Sequence, residues 1–171
     1  MILKPLKKQF ILAALIYFGT VLFGVFSYFI VPYDLGEMGI NTKTNWLEYF
    51  IHNGTINLII IFSFLSLGLI TVGSLLLNGI VMGYMFGHAI QTNAVMKFLL
   101  LLAPHGIIEI PTAWLASAVS FFIISYTIKK IKNKEKIDFK FLIFTILKYT
   151  IITEILILIA GIIEENITLI S

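Results

Sequence analysis

Apolar residues in this chain neither alternate nor recur as stripes; they form long unbroken runs. Positions 10–31, 50–72, 74–90, 98–128 and 141–163 are nearly continuous Leu, Ile, Val, Phe and Ala, and shorter segments between them hold most of the charge. A helix of about 20 such residues crosses the ~30 Å hydrocarbon core of a bilayer, whereas the helix of a soluble domain keeps a polar face. The stretch from Ile56 to Ala89 would measure roughly 50 Å as one helix, too long for a single crossing. It is expected to fold back near Thr71 to Ser74, giving two legs of about 26 Å each. The pattern predicts an all-α, polytopic transmembrane bundle of about five spans. It has a short hairpin between the second and third spans and a fourth span broken by proline. All of 1–171 forms one transmembrane domain with no soluble domain. Lys4, Lys7 and Lys8 precede the first run as in a signal peptide, but the run is too long for an h-region and no A-x-A-like site follows, so it reads as a retained span.

Composition agrees: 59% of residues are hydrophobic and only 12% charged, and the mean hydropathy is +1.01, values of a bilayer protein. All 12 basic residues are Lys, and their placement sets the topology. The N-terminus is lysine-rich, the loop from Pro32 to Glu48 carries Asp34, Glu37 and Glu48 against one lysine, and "KKIKNKEKIDFK" packs six lysines around Lys129 to Lys140. By the positive-inside rule the N-terminus and the lysine cluster are cytoplasmic, while the acidic loop, with Trp46 and Tyr49 near its end, is an outer interfacial segment. Five crossings of the cell membrane then leave the C-terminus outside. Beside a span, the lysine cluster is a topological signal, so no nucleic acid is expected as a partner. The absence of cysteine rules out disulfides and thiolate metal sites.

The chemistry lies in polar groups inside the runs. His52, Asn53, Asn57, Asn78, His88, His105, Glu109, Glu154 and Glu164 are costly there unless they face protein or water, so they are expected to converge. His105 and Glu109 are one helical turn apart. Counting 1.5 Å per residue from Lys97 puts His105 about 12 Å and Glu109 about 18 Å below the outer surface, with Glu154 roughly 9 Å below it. A polar cavity opening outward, lined by His105, Glu109, Glu154, Asn57 and Asn78, is allowed by that count. Its groups serve as hydrogen bonds and charge pairs between helices, as a metal or proton site, or in catalysis. A metal set would be His105 and Glu109 with Glu154 or Glu164, donors suited to Zn²⁺ or another divalent cation. Neither H-E-x-x-H nor G-x-S-x-G occurs, and an enzyme is not the expectation. Gly79, Gly83 and Gly87 mark a face for close helix approach, either within the chain or in a homodimer. Pro104 and Pro111 flank the His–Glu pair and each remove a backbone donor, while Gly106 leaves room for another helix.

The run "NLIIIFSFLSLGLITVGSLLLNGIVMGYMFG", followed about twenty residues later by "PHGIIEIPTAWLA", resembles the stage II sporulation protein M family of integral membrane proteins. The resemblance rests on Asn78, Gly79 and Gly83, and on Pro104, His105, Gly106, Glu109 and Pro111. A late glutamate, Glu164 or its rival Glu154, also matches. The resemblance implies a membrane anchor of the kind that assembles with cell-wall-degrading partners during engulfment in endospore formers. Together the residues and the resemblance point to a membrane scaffold that contacts lipid and other membrane or envelope proteins. The alternative is a small transporter or divalent-cation-binding membrane protein that uses the His/Glu site.

Overall fold

The computed structural model describes residues 5–33 and 45–168, and at 104, 105, 164, 167 and 168 it describes the backbone alone. All regular structure among the described residues is helical: α1 (Lys7–Ile30), α2 (Trp46–Phe62) ending in a 3-10 turn (Ser63–Ser66), α3 (Leu69–Gln91), α4 (Val95–Lys132) and α5 (Phe139–Thr168). Five helices are long and apolar enough to cross a membrane, as the five runs predict, and the chain is a multi-pass membrane protein. Successive helices run in opposite directions. The start of α1, the α2–α3 turn and the α4–α5 link therefore share one end of the bundle, and the start of α2 and the end of α5 share the other.

Local chemistry sets the helix ends. Asn45 caps α2, its Oδ1 accepting from the Leu47 amide at 3.0 Å, and Glu48 sits in the first turn, where the helix dipole favours an anion. The cap starts α2 at Trp46, so Trp46 and Tyr49 belong to the helix, and Tyr49 is buried instead of lying in an interfacial loop. The turn between α2 and α3 also differs from expectation. It is not at Thr71 to Ser74, which lie within α3, but at Leu67 and Gly68, with φ of 54° and 82°. The Leu67 amide donates to the Phe64 carbonyl at 3.1 Å and the Gly68 amide to that of Ser63 at 2.9 Å. A reversal needs positive φ, which glycine supplies without a Cβ penalty, and Gly68 comes first in the chain. Lys134, also at positive φ, turns the chain between α4 and α5, and Asp138 Oδ1 accepts from the Phe141 amide at 2.9 Å to begin α5.

α4 is the hub, touching all four other helices. Leu115 to Ser120 is buried on every side, because Ala116, Ser117, Ala118 and Ser120 are small enough to let several neighbours approach at once. Its 38 residues measure about 57 Å, well beyond one crossing. Pro104 and Pro111 lie inside this helix, which is continuous from Val95 to Lys132. What the prolines break is the hydrogen-bond ladder, since the carbonyls of Leu100 and Ile107, four residues earlier, find no proline N–H.

α1 and α3 run parallel and in backbone contact. A methyl group built on Gly83 would overlap the Val21 carbonyl oxygen, one on Gly79 would overlap Thr20 Oγ1, and one on Gly24 would overlap the Ile80 carbonyl oxygen. Gly87 faces the Tyr28 ring, with Cβ at 2.8 Å. The glycine face is thus used within the chain, and a second copy would have to displace α1 to reach it. At the opposite end of α3, the buried hydroxyls of Ser63, Thr71 and Ser120 pin the hairpin to α4. Ser63 Oγ bonds Thr71 Oγ1 and stands 3.0 Å from Ser120 Oγ, and Thr71 also donates to the Ile60 carbonyl at 3.2 Å.

Candidate functional site

Between α2, α3 and α4 the bundle leaves a cavity of about 320 Å³. From α2 it takes His52, Asn53 and Asn57; α3 supplies Ser74 and Asn78, and α4 supplies Glu109. These residues fall on one face because the capped start of α2 puts Tyr49, Asn53 and Asn57 at successive fourth positions, one above another. Asn57 is 3% exposed and belongs to the floor with Gly106 and Leu75, whereas His52, Asn78, Val81 and Met85 are exposed and mark a mouth between α2 and α3. Asn78 also donates to the Ser74 carbonyl at 2.9 Å and to Ser74 Oγ at 3.2 Å, so its carboxamide is oriented from its own helix.

Glu109 is the acidic group of this lining. Its Oε2 accepts a hydrogen bond of 2.7 Å from the Tyr49 hydroxyl. Tyr49 lies in the first turn of α2, so Glu109 stands at that level. A carboxylate offers about four acceptor sites, and the tyrosine uses one.

Glu154 lies elsewhere. Its Oε2 is 2.5 Å from where a Gly54 Cβ would be, and its Oε1 is buried with no hydrogen-bond partner among the described residues. Gly54 therefore provides the room that the Glu154 carboxyl occupies between α2 and α5. Gly54 is five residues, about 7.5 Å, farther along α2 than Tyr49, so Glu154 is deeper than Glu109. That reverses the order obtained by counting from Lys97, because α4 extends beyond one crossing and the count began too far out. Glu154 does not line the cavity.

Of the residues singled out in the sequence, His52, Asn53, Asn57, Asn78, Gly106 and Glu109 come together at this cavity. Gly106 makes room for the Leu102 side chain of its own helix, with Cδ1 2.7 Å from a built Cβ. His88 is buried on α3, where Nδ1 meets the Tyr28 hydroxyl at 3.1 Å. The side chains of His105 and Glu164, two of the four candidate metal ligands, and that of Pro104 lie outside the described residues. Among the described residues no three His, Cys, Asp or Glu side chains form a group able to hold a metal ion. The sequence reading missed Tyr49 as the partner of Glu109, and Gly54 as the seat of Glu154. Asn45 followed three residues later by Glu48 is a helix-start pattern, and it was the available signal that Tyr49 turns inward with Asn53 and Asn57.

The family model of stage II sporulation protein M matches residues 13–169. An uncharacterised protein of Methanocaldococcus jannaschii is 35% identical over 138 residues, covering 79% of this chain and 77% of that relative. No solved structure matches the chain. With the match running through all five helices, the chain belongs to the stage II sporulation protein M family.

Proposed function

We propose that the protein is a membrane-embedded scaffold that holds other membrane or envelope proteins and does not itself turn over a substrate, with its N-terminus in the cytoplasm and its C-terminus outside. The observation that carries this reading is the use of its intramembrane polar groups. Tyr28 with His88, Tyr49 with Glu109, and Ser63 with Thr71 and Ser120 each tie one helix to another, the work of a rigid frame. The outer face of α1 presents Phe18, Leu22, Phe23, Phe26 and Phe29, an apolar surface that suits lipid and partner spans alike. The test is purification of the tagged protein from its own membranes in a mild detergent, followed by native mass spectrometry. A stoichiometric membrane or envelope partner supports the scaffold; the chain alone across several detergents and after cross-linking in the cell contradicts it.

A second reading, a small transporter or divalent-cation protein, is favoured by the cavity, since rigid packing alone leaves no need for a polar space beside Glu109. Elemental analysis of the purified wild type, His105→Ala and Glu109→Ala, with and without chelator, tests its metal branch. Near-stoichiometric metal lost in both variants supports it, and metal content unchanged by either variant contradicts it.

A further inference from the structure

We propose that the cavity between α2, α3 and α4 is a binding site for a small organic ammonium ion, with the charge against Glu109 and the carbon body along the apolar wall. The inference rests on the second reading only in taking the cavity to be a binding site; it requires neither metal nor transport.

Charge comes first. A carboxylate in an apolar enclosure is costly unless an opposite charge or several hydrogen bonds compensate it. Tyr49 gives Glu109 one hydrogen bond and no charge. Among the described lining residues there is no lysine, and His52, out at the mouth, is the one side chain able to turn cationic. An anionic ligand beside Glu109 would meet no lysine among the described lining residues, so the charge complement is a cation.

The remaining lining separates an organic cation from a bare metal ion. Divalent oxygen sites gather six to eight ligands, generally with more than one carboxylate; here the described lining offers Glu109 alone among acids, and three carboxamides spread over two helices. More than half of the lining is apolar, with Leu75, Met82, Ile110 and Ile157 on the walls. The volume of about 320 Å³ lies at the lower end of the range for small-molecule sites, far larger than an ion needs. An –NH₃⁺ group has three donors, which matches Glu109 together with the carboxamide oxygens of Asn57 or Asn53. Two sources share this chemistry, a free amine and the aminoethyl head of a lipid entering through the mouth between α2 and α3.

The experiment uses the full chain in phosphatidylcholine nanodiscs and titrates n-butylammonium chloride, with n-butanol and sodium chloride as controls, reading Trp114 fluorescence. Trp114 packs on Tyr17 at a ring distance of 5.6 Å, and Tyr17 borders the cavity. The expected result is saturable binding of butylammonium, with butanol and sodium at least about tenfold weaker. Glu109→Gln keeps an acceptor for Tyr49 and loses the charge, and should weaken binding at least about tenfold. Asn78→Lys, which puts a cation at the exposed mouth and leaves the Glu109–Tyr49 bond alone, should do the same, while Glu135→Gln in the α4–α5 link changes nothing. Repeating the titration in discs containing phosphatidylethanolamine separates the sources: competition assigns the site to the lipid head, no competition to a free amine. Equal affinity for butanol, binding unaffected by both cavity variants, or no binding by folded wild type would overturn the proposal. Metal content and flux are measured on separate samples, so their failure does not touch this result.

Discussion

Gly83→Ala tests the α1–α3 contact on which the packing rests. A methyl group at this position overlaps the Val21 carbonyl oxygen and lies 2.8 Å from the Val21 carbonyl carbon and 2.9 Å from the Val25 nitrogen. All three are backbone atoms, so no side chain can move aside. Ordinary non-bonded separations are about 3.5–4.0 Å, so the two helices must part by on the order of 1 Å, loosening Gly24 on Ile80 and Gly87 on Tyr28 as well. Overpacking of this kind costs about 1–3 kcal/mol, against which alanine gains about 1 kcal/mol of helix propensity over glycine. The net expectation is a loss of up to about 2 kcal/mol relative to the wild type. Gly73 in the same helix and Gly19 in α1 have nothing within 4 Å of a built Cβ, so alanine there keeps the propensity gain without the clash. Thermal unfolding of the detergent-solubilised variants by circular dichroism, with light scattering for oligomeric state, measures the difference. Gly83→Ala as stable as Gly73→Ala would refute the packing argument, and a change in oligomeric state without loss of monomer stability would move the glycine face to a contact between copies.

Three further outcomes follow from local geometry. Ser120→Ala removes one hydroxyl of the Ser63–Thr71–Ser120 cluster and should cost about 0.6 kcal/mol, up to about 1.7, by the same unfolding assay. Gly68→Ala places a side chain at φ 82°, with its Cβ 3.1 Å from Ile124 Cδ1, and should lose about 1–2 kcal/mol, more than alanine at Gly73. Glu135, outside the spans, is held below the usual glutamate range, first by its hydrogen bond from Lys130 and then by that from Asn133. A depressed folded-state value means that this contact contributes above the ordinary carboxylate range and is lost as pH falls through the lowered value. Carboxyl NMR titration should therefore show a low midpoint that rises in Lys130→Ala.

The five helices were legible because unbroken apolar runs of spanning length admit few other arrangements in water or lipid. The hairpin turn was less so. "GLITVGS" contains Gly68 and Gly73, both small and both near the middle of the long apolar stretch, and only the backbone shows that Gly68 takes positive φ while Gly73 stays helical. Much of the cavity was also legible: Asn57, Asn78 and Glu109 were placed together by the cost of burying polar groups. The order of Glu154 and Glu109 was not, because a depth count assumes where each helix enters the membrane, and α4 runs for 38 residues. Tyr49 escaped for a related reason. An aromatic at the edge of a run looks interfacial until the Asn45 cap is recognised.

The central claim is that α2, α3 and α4 enclose a polar cavity within the membrane, and a polar space of about 320 Å³ is expected to hold water. A chain without cysteine allows a direct test in proteoliposomes with single substitutions, Asn78→Cys at the cavity mouth and Leu77→Cys one position along α3. Leu77 is 68% exposed and lies outside the lining, so it faces lipid. A thiol reacts as its thiolate, which needs water. Rapid modification of Asn78→Cys by a charged, water-soluble methanethiosulfonate, with Leu77→Cys inert, is the predicted result. Equal inertness of both, in protein shown to be folded, would mean that no hydrated cavity reaches Asn78.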